Sequence, residues 1–371
     1  MQSRVVAASL FFSLVLTGAA AAQTAEELRN RINRGTVGIM SGSITGTYAR
    51  VASDLAAVLD DPGGLRVVVS LGKGSVQNIN DLLYLRGIDL AIVQSDLLNY
   101  MKRERVHANI QKRIHYVTKL YNEEFHLIAA TRVKDFRELA NQPVILGTVG
   151  SGSHMTASIV FEALGVPVKP VAAKDHDTAL EMVKDGRALA WVRVTGKPNS
   201  SLARLKREEG VHFLEVPPNP KLLETYLPSA LTAQEYPNII EEGQKVRTIA
   251  VGAVMAVYGW QPKTERYKKV ERFVETFFSR YEDFLKPPRH KKWQEVNLGT
   301  TVPGWTRFKP AADWLAKLAV AQRNSATPAA TTRTANASDD LRAIIDGLTQ
   351  EDREAIRDFL MEYLERRRSL Q

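Results

Sequence analysis

The feature that most restricts the fold is a regular alternation of short apolar β-type runs with amphipathic helical runs, with small-residue loops at the junctions. After a short helical lead-in over 26–34, residues 36–40 read as a strand, 47–59 as a helix, 65–70 as a strand, 76–85 as a helix and 89–94 as a strand. Parallel strands cannot be joined by a tight turn and need a crossover, so this order predicts βαβ units on a largely parallel sheet. Two extended segments, 114–120 and 125–131, interrupt the pattern. It restarts with strand 143–148, helix 155–164, strand 166–171, helix 178–184 and strand 188–194, which predicts a second α/β lobe beginning near Val133. Residues 248–258 are strongly apolar and precede helical patterns over 265–284 and 311–321, so they read as the chain crossing back to complete the first lobe. The expected organisation is a discontinuous first lobe, 23–132 plus 247–323, and a second lobe, 133–246. A length of 371 residues suits two such units.

Both ends carry segments of a different kind. Arg4 supplies a positive start, Val5 to Leu16 form a short apolar run, and Ala20-Ala21-Ala22 places small residues before Gln23. This reads as a secretory signal peptide, residues 1–22, cut near Ala22, and predicts a periplasmic protein. The run is shorter than the ~20 apolar residues that a bilayer span needs. Residues 324–338 contain no large apolar side chain and read as a linker. Beyond it, Leu341, Ile344, Ile345 and Leu348 form one helical stripe, and Ile356, Phe359, Leu360, Tyr363 and Leu364 form another. Residues 339–371 therefore read as a helical extension that could dock on a partner, on a second copy, or back on its own lobe.

Composition removes several function classes. The chain has no cysteine, so disulfides, thiolate metal sites and thiol nucleophiles are excluded, as is a lipid-accepting Cys after the cleavage site. The formal charge of +9 is spread among acids, as in Lys102-Arg103-Glu104-Arg105 and Lys206-Arg207-Glu208-Glu209, without an aromatic-interleaved basic motif. Nucleic acid is therefore not an expected partner, and the basic surface suits an anionic solute or an acidic protein.

Three loops rich in glycine and hydroxyls each stand between a strand end and a helix start: Ser41-Gly42-Ser43-Ile44-Thr45-Gly46-Thr47-Tyr48, Gly72-Lys73-Gly74-Ser75 and Gly150-Ser151-Gly152-Ser153. The unpaired N–H groups at a helix start and the positive end of its dipole suit a carboxylate or phosphate, and small residues let a ligand approach. Any one of these loops also reads as a plain cap, but three at the ligand-binding edge of an open α/β sheet predict a cleft. The run Asp89-Leu90-Ala91-Ile92-Val93-Gln94-Ser95-Asp96 brings Gln94 and Ser95 to the same edge, with Ser95 alternatively a helix cap. In Trp191-Val192-Arg193-Val194-Thr195-Gly196-Lys197-Pro198, Arg193 could place a bidentate cation opposite a carboxylate or could face solvent.

Motifs of catalysis are missing. There is no Gly-x-Ser-x-Gly elbow, no phosphate loop ending in Gly-Lys-Ser/Thr, no His-Glu-x-x-His and no complete dinucleotide fingerprint. The seven histidines lack ligand spacing, and the acid pairs Glu123-Glu124 and Glu241-Glu242 read as solvated. An enzyme is not expected, nor is a cofactor or a metal.

The loops together resemble those of the TAXI group of TRAP-transporter solute receptors. The matching residues are Gly42-Ser43 to Gly46-Thr47-Tyr48, Gly74-Ser75-Val76-Gln77-Asn78, 89–96, Gly150 to Ser153 and Thr195-Gly196-Lys197-Pro198, spanning 36–202 with looser similarity to about Ala321. The resemblance implies an α/β, two-lobed type II periplasmic-binding fold, to which this chain would add its C-terminal helical extension. It also implies closure on a small carboxylate-bearing solute and delivery to a TRAP-type membrane permease driven by an ion gradient. Carried over by position, Ser43, Gly46, Thr47, Tyr48, Ser75, Asn78, Gln94 and Ser95 would line the first lobe; Ser151, Gly152 and Ser153 would close from the second, with Gly196 and Pro198 shaping its edge. The chain departs from the family's pattern at Ala49 and Arg50, at Leu189, at Lys73, and at Arg193 in a usually apolar position. If Lys73 and Arg193 both faced the cleft, they would favour a more anionic ligand. A ligand-sensing or scaffolding envelope protein acting through its C-terminal helices is the alternative function.

Overall fold

A computed structural model describes residues 25–30, 32–61, 64–107 and 109–325, together with 350, 353, 354 and 357. The expected signal peptide lies outside the described residues, as do 326–338 of the expected linker and most of the expected helical extension.

The first half of the chain builds β1 (Thr36–Met40), α1 (Thr47–Leu59), β2 (Arg66–Ser70), α2 (Ser75–Tyr84), β3 (Leu90–Gln94) and α3 (Leu97–Arg103). Strand β1 pairs in parallel with β2 on one side and β3 on the other, as the alternation predicts. All five residues of β3 are buried, which is why it is a continuous apolar run and not an alternating one. Helix α1 buries Tyr48, Val51, Ala52, Leu55, Val58 and Leu59, the stripe a 3.6-residue period presents to a sheet.

Strand β4 (Ile114–Ala130) runs unbroken for 17 residues. The sequence reading placed two separate strands here, because Tyr121 to Glu124 interrupt the apolar run; the structure pairs the polar part with neighbours and continues. After β4 come β5 (Pro143–Ile145), α4 (Gly152–Ala163), β6 (Lys169–Pro170), α5 (His176–Lys184), β7 (Ala190–Thr195), β8 (Val211–Phe213) and β9 (Leu227–Thr232). The strand expected over 166–171 is reduced to the two residues of β6. Strand β10 (Lys245–Tyr258), α6 (Glu265–Ser279), β11 (Thr306–Arg307) and α7 (Lys309–Ser325) complete the described chain.

The principal strand order is β2-β1-β3-β10-β4-β7-β5-β6. Strand β10 pairs with β9 through Lys245 to Ala250 and with β3 through Ala253 to Val257, so it changes neighbour halfway along. Strand β4 pairs with β10 from Ile114 to Glu124, and its other edge pairs first with β11 at His115 and Tyr116 and then with β7 from Glu124 to Ala129. Register shifts between Gly252 and Val254 and between Val254 and Ala256 mark the crossing, where a bulge bends a strand. One apolar core joins Val37, Ile39 and Leu55 to Met255, Phe273, Phe277 and Trp293; a second joins Phe125, Val144, Phe161 and Val192 to Val251.

The crossing is pinned by a buried ion pair. The Lys292 ammonium, only 2 % exposed, lies 2.9 Å from Glu124 Oε1 and 2.7 Å from Glu295 Oε1. Burial opposes its charge, but the two carboxylates hold it above the ordinary lysine range. Removing one member of such a pair strands the other in low dielectric. Lys292→Ala is expected to cost about 3–5 kcal/mol in urea unfolding. The exposed Lys309–Asp313 pair is the control, since Lys309→Ala should cost no more than about 1 kcal/mol.

Candidate functional site

A cavity of about 450 Å³ lies where the two lobes meet. Its walls come from the β1–α1 loop, the β2–α2 loop, the end of β3, the β5–α4 loop, the start of α5, and β7. Gly46 and Gly74 are the N-cap residues of α1 and α2, and neither helix start carries a side-chain cap. Gly74 adopts φ +118°, and a Cβ there would lie 3.1 Å from the Gly152 backbone N of the other lobe. A side chain is disfavoured at that point for both reasons.

Among the sequence-predicted residues, Ser43, Gly46, Thr47, Tyr48, Lys73, Ser75, Gln94, Ser151, Gly152, Ser153 and Arg193 all line this cavity. Lys73 does so from an exposed position. Asn78, Ser95, Gly196 and Pro198 are not brought to it. The Asn78 amide donates to Ser41 O at 2.7 Å and Ile92 O at 2.8 Å, which ties β1 to β3 beneath the loops. Ser95 is held through its backbone, with N donating to Gly252 O and O accepting from Trp305 Nε1, both at 2.8 Å. Gly196 packs against Thr47 and Lys292, and Pro198 is exposed. The capping reading holds at Ser151, whose Oγ accepts from His154 N at 3.1 Å.

Arg193 is buried, which excludes the solvent-facing alternative. Its guanidinium donates to Ser201 Oγ and reaches across the cleft to Thr45 O and Thr45 Oγ1, both at 3.3 Å. Burial lowers its pKa to about 10, so it stays charged at neutral pH. His176, stacked near Trp191, falls to about 4 through burial and the nearby Arg193 charge, so it is neutral there.

The sequence reading of Glu123 and Glu124 as solvated is overturned. Both are almost fully buried on β4 at the crossing, and Glu123 faces the cavity, accepting from Tyr48 Oη at 2.7 Å. Their polar neighbours in sequence suggested solvent; the cation that makes burial of Glu124 tolerable, Lys292, lies far along the chain.

The lobes touch through several polar contacts: Gln77 N donates to Gly150 O at 3.1 Å, and Thr47 Oγ1 meets Thr195 Oγ1 at 3.2 Å. Below them, Asp96 Oδ2 accepts from Thr156 Oγ1 and Tyr226 Oη, both at 2.9 Å, while Oδ1 has no hydrogen-bond partner among the described residues.

The NMT1-like family model matches residues 39–304 of the chain, more than half its length. The chain belongs to the NMT1-like family. For this NMT1-like protein the two-lobed α/β expectation holds, because two parallel-stranded units joined by two antiparallel crossing strands are the type II periplasmic-binding arrangement. No curated protein matches the chain. Among solved structures it is similar to one described as a periplasmic transporter (15% identity, TM-score 0.46, covering 78% of this chain and 96% of that one). It is also similar to the periplasmic binding protein BugD (14%, TM-score 0.45, 77% and 94%) and to an ancestral arginine-binding protein bound to arginine (16%, TM-score 0.39, 68% and 99%). Among the described residues of the NMT1-like chain, no helix is long and apolar enough to cross a membrane.

Two outcomes test this geometry. Burial pushes the Asp96 pKa up to about 6, with the Thr156 and Tyr226 hydroxyls offsetting only part of the effect. A carboxyl raised from its ordinary 3.8 lends stability that is full below that value and is lost as pH rises through about 6. Two pH units correspond to about 3 kcal/mol. Thermal melts from pH 4 to 8 should show wild type losing ground to Asp96→Asn between pH 4 and 6; parallel curves would count against this. In the second test, a Cβ on Gly152 would lie 2.0 Å from Gln94 Oε1 and 2.8 Å from Ser75 Oγ, both buried and hydrogen-bonded to each other. Gly152→Ala is therefore expected to hold the lobes apart and enlarge the radius of gyration in small-angle scattering, without loss of secondary structure by circular dichroism. An unchanged radius would mean the lobes do not meet at this point.

Proposed function

We propose that this chain is a periplasmic solute receptor of the TAXI type, exported by its N-terminal signal, that captures a small carboxylate-bearing anion for a TRAP-type permease. The observation that carries this reading is the convergence of donors on one cavity between the lobes. Two helix starts without side-chain caps, those of α1 and α2, meet the buried guanidinium of Arg193 there. Each favours an anion, and an enclosed site strengthens their effect by excluding water.

In this reading Ser43, Gly46, Thr47, Tyr48, Ser75 and Gln94 hold the anion from the first lobe, and Ser151, Gly152, Ser153 and Arg193 from the second. Lys73 at the exposed edge draws it in electrostatically. The contacts of Arg193 to Thr45 couple occupancy to closure, because the same guanidinium serves solute and lobe contact.

Native mass spectrometry of the mature protein, followed by thermal-shift titration with amino acids, dicarboxylates and oxo acids, tests the proposal. A copurifying small anion that raises the melting temperature with concentration is the expected result, since a ligand bound only by the folded state stabilises it. Arg193→Ala should weaken the responding anion by about tenfold or more, the scale of a lost hydrogen bond to a charged group. A folded chain with an empty cleft and no response to any of the panel would refute the receptor reading.

A further inference from the structure

Glu123 was assigned no role by its sequence context, yet it sits where a bound solute would touch it. It lies on β4 at the crossing, opposite Val251 of β10, and its side chain faces the cavity while only 3 % of the residue is exposed. The Tyr48 hydroxyl, from the first turn of α1, donates to Oε2 at 2.7 Å. The neighbouring Glu124 is matched by Lys292 at 2.9 Å, whereas no cation pairs with Glu123 among the described residues.

Burial and the neighbouring acids Glu124 and Asp96 disfavour charge on Glu123, against the Tyr48 hydrogen bond and the Lys292 charge. Tyr48 faces it from α1, Asp96 from the turn after β3, Tyr121 and Glu124 from β4 itself, and Lys292 from the turn at Lys291–Glu295. Lys292 is the one cation among these groups, and Glu124 and Glu295 already engage it. An ionised Glu123 would add an uncompensated charge to a buried, acid-rich floor. Burial is the main cause that pushes its pKa up to about 8; the Tyr48 hydrogen bond opposes this, and Glu124 and Asp96 reinforce it. A neutral carboxyl that accepts from Tyr48 on Oε2 keeps its own O–H as a donor toward the cavity.

We propose that Glu123 is a specificity-determining residue that contacts the solute as a neutral acid and donates a hydrogen bond to an oxygen of the bound anion. This rests on the receptor reading above. It deepens that reading by naming what the site selects: an anion with a second oxygen acceptor, such as an oxo or dicarboxylic acid, over one presenting an ammonium at that point.

The test titrates the mature full chain with 2-oxoglutarate, succinate and glutamate by calorimetry from pH 6 to 9, in wild type, Glu123→Gln and Glu123→Ala. Unfolding curves of each variant confirm folding. The expected result is that an oxo or dicarboxylate probe binds wild type better than glutamate, with affinity falling as pH rises past about 8 and the donor is lost. Glu123→Gln, whose amide can accept from Tyr48 and still donate, should bind within about threefold of wild type at pH 7 without that decline, and Glu123→Ala should lose about tenfold or more. Preference for glutamate with affinity rising toward alkaline pH, and equal losses in both variants, would overturn the proposal in favour of a charged carboxylate gripping an ammonium. Wild-type affinity in Glu123→Ala would overturn it by removing the contact, while leaving the receptor reading intact. Failure of all three probes and of any copurifying anion to bind folded wild type would instead sink the receptor reading, and this inference with it.

Discussion

A strand needs partners for its backbone N–H and C=O groups along its whole length, and β4 and β10 find theirs in two different lobes. Everything at the cleft follows from this. Because each strand continues through the crossing, the lobes are tied by covalent chain and by ladder hydrogen bonds at once, and their loops can meet only on one side. The register shifts near Gly252 fall where β10 changes neighbours, and a bulge there bends the paired strands.

The same crossing gathers charge into the interior. Glu124 and the partly exposed Glu295 share the Lys292 ammonium, which makes burial of Glu124 tolerable, and Lys197 adds its backbone N–H to Glu124 Oε2 at 2.8 Å. Asp96 and Glu123 have hydroxyl donors in place of cations. Burial raises the pKa of Glu123, Glu124 and Asp96 alike, but of the three only Glu124 has a cation against it to tie the crossing together, and only Glu123 faces the cavity.

Much of the scaffold was legible because periodicity records local burial. The stripe of α1 and the uninterrupted apolar run of β3 each reflect one environment, and small residues in the loops mark places where backbone must approach backbone, as Gly74 and Gly152 do. Asn78 illustrates the limit. Its match to the TAXI-type loop suggested a cleft residue, but its amide is spent on two carbonyls at neighbouring strands. Glu123 and Glu124 illustrate the opposite error, since a polar pair inside a strand looks solvated until its partners are known.

The sequence by itself determined the α/β alternation, the apolar β-type run over 248–258, and the placement of three glycine and hydroxyl loops before helices, because each depends on interactions within a few turns of chain. Only the tertiary structure decided that 114–130 is one strand serving both lobes, that Arg193 reaches Thr45, and that Lys292 neutralises Glu124 from 168 positions away. The free energy of a buried charge depends on what stands within a few ångströms in space, and separation along the chain carries no record of that distance.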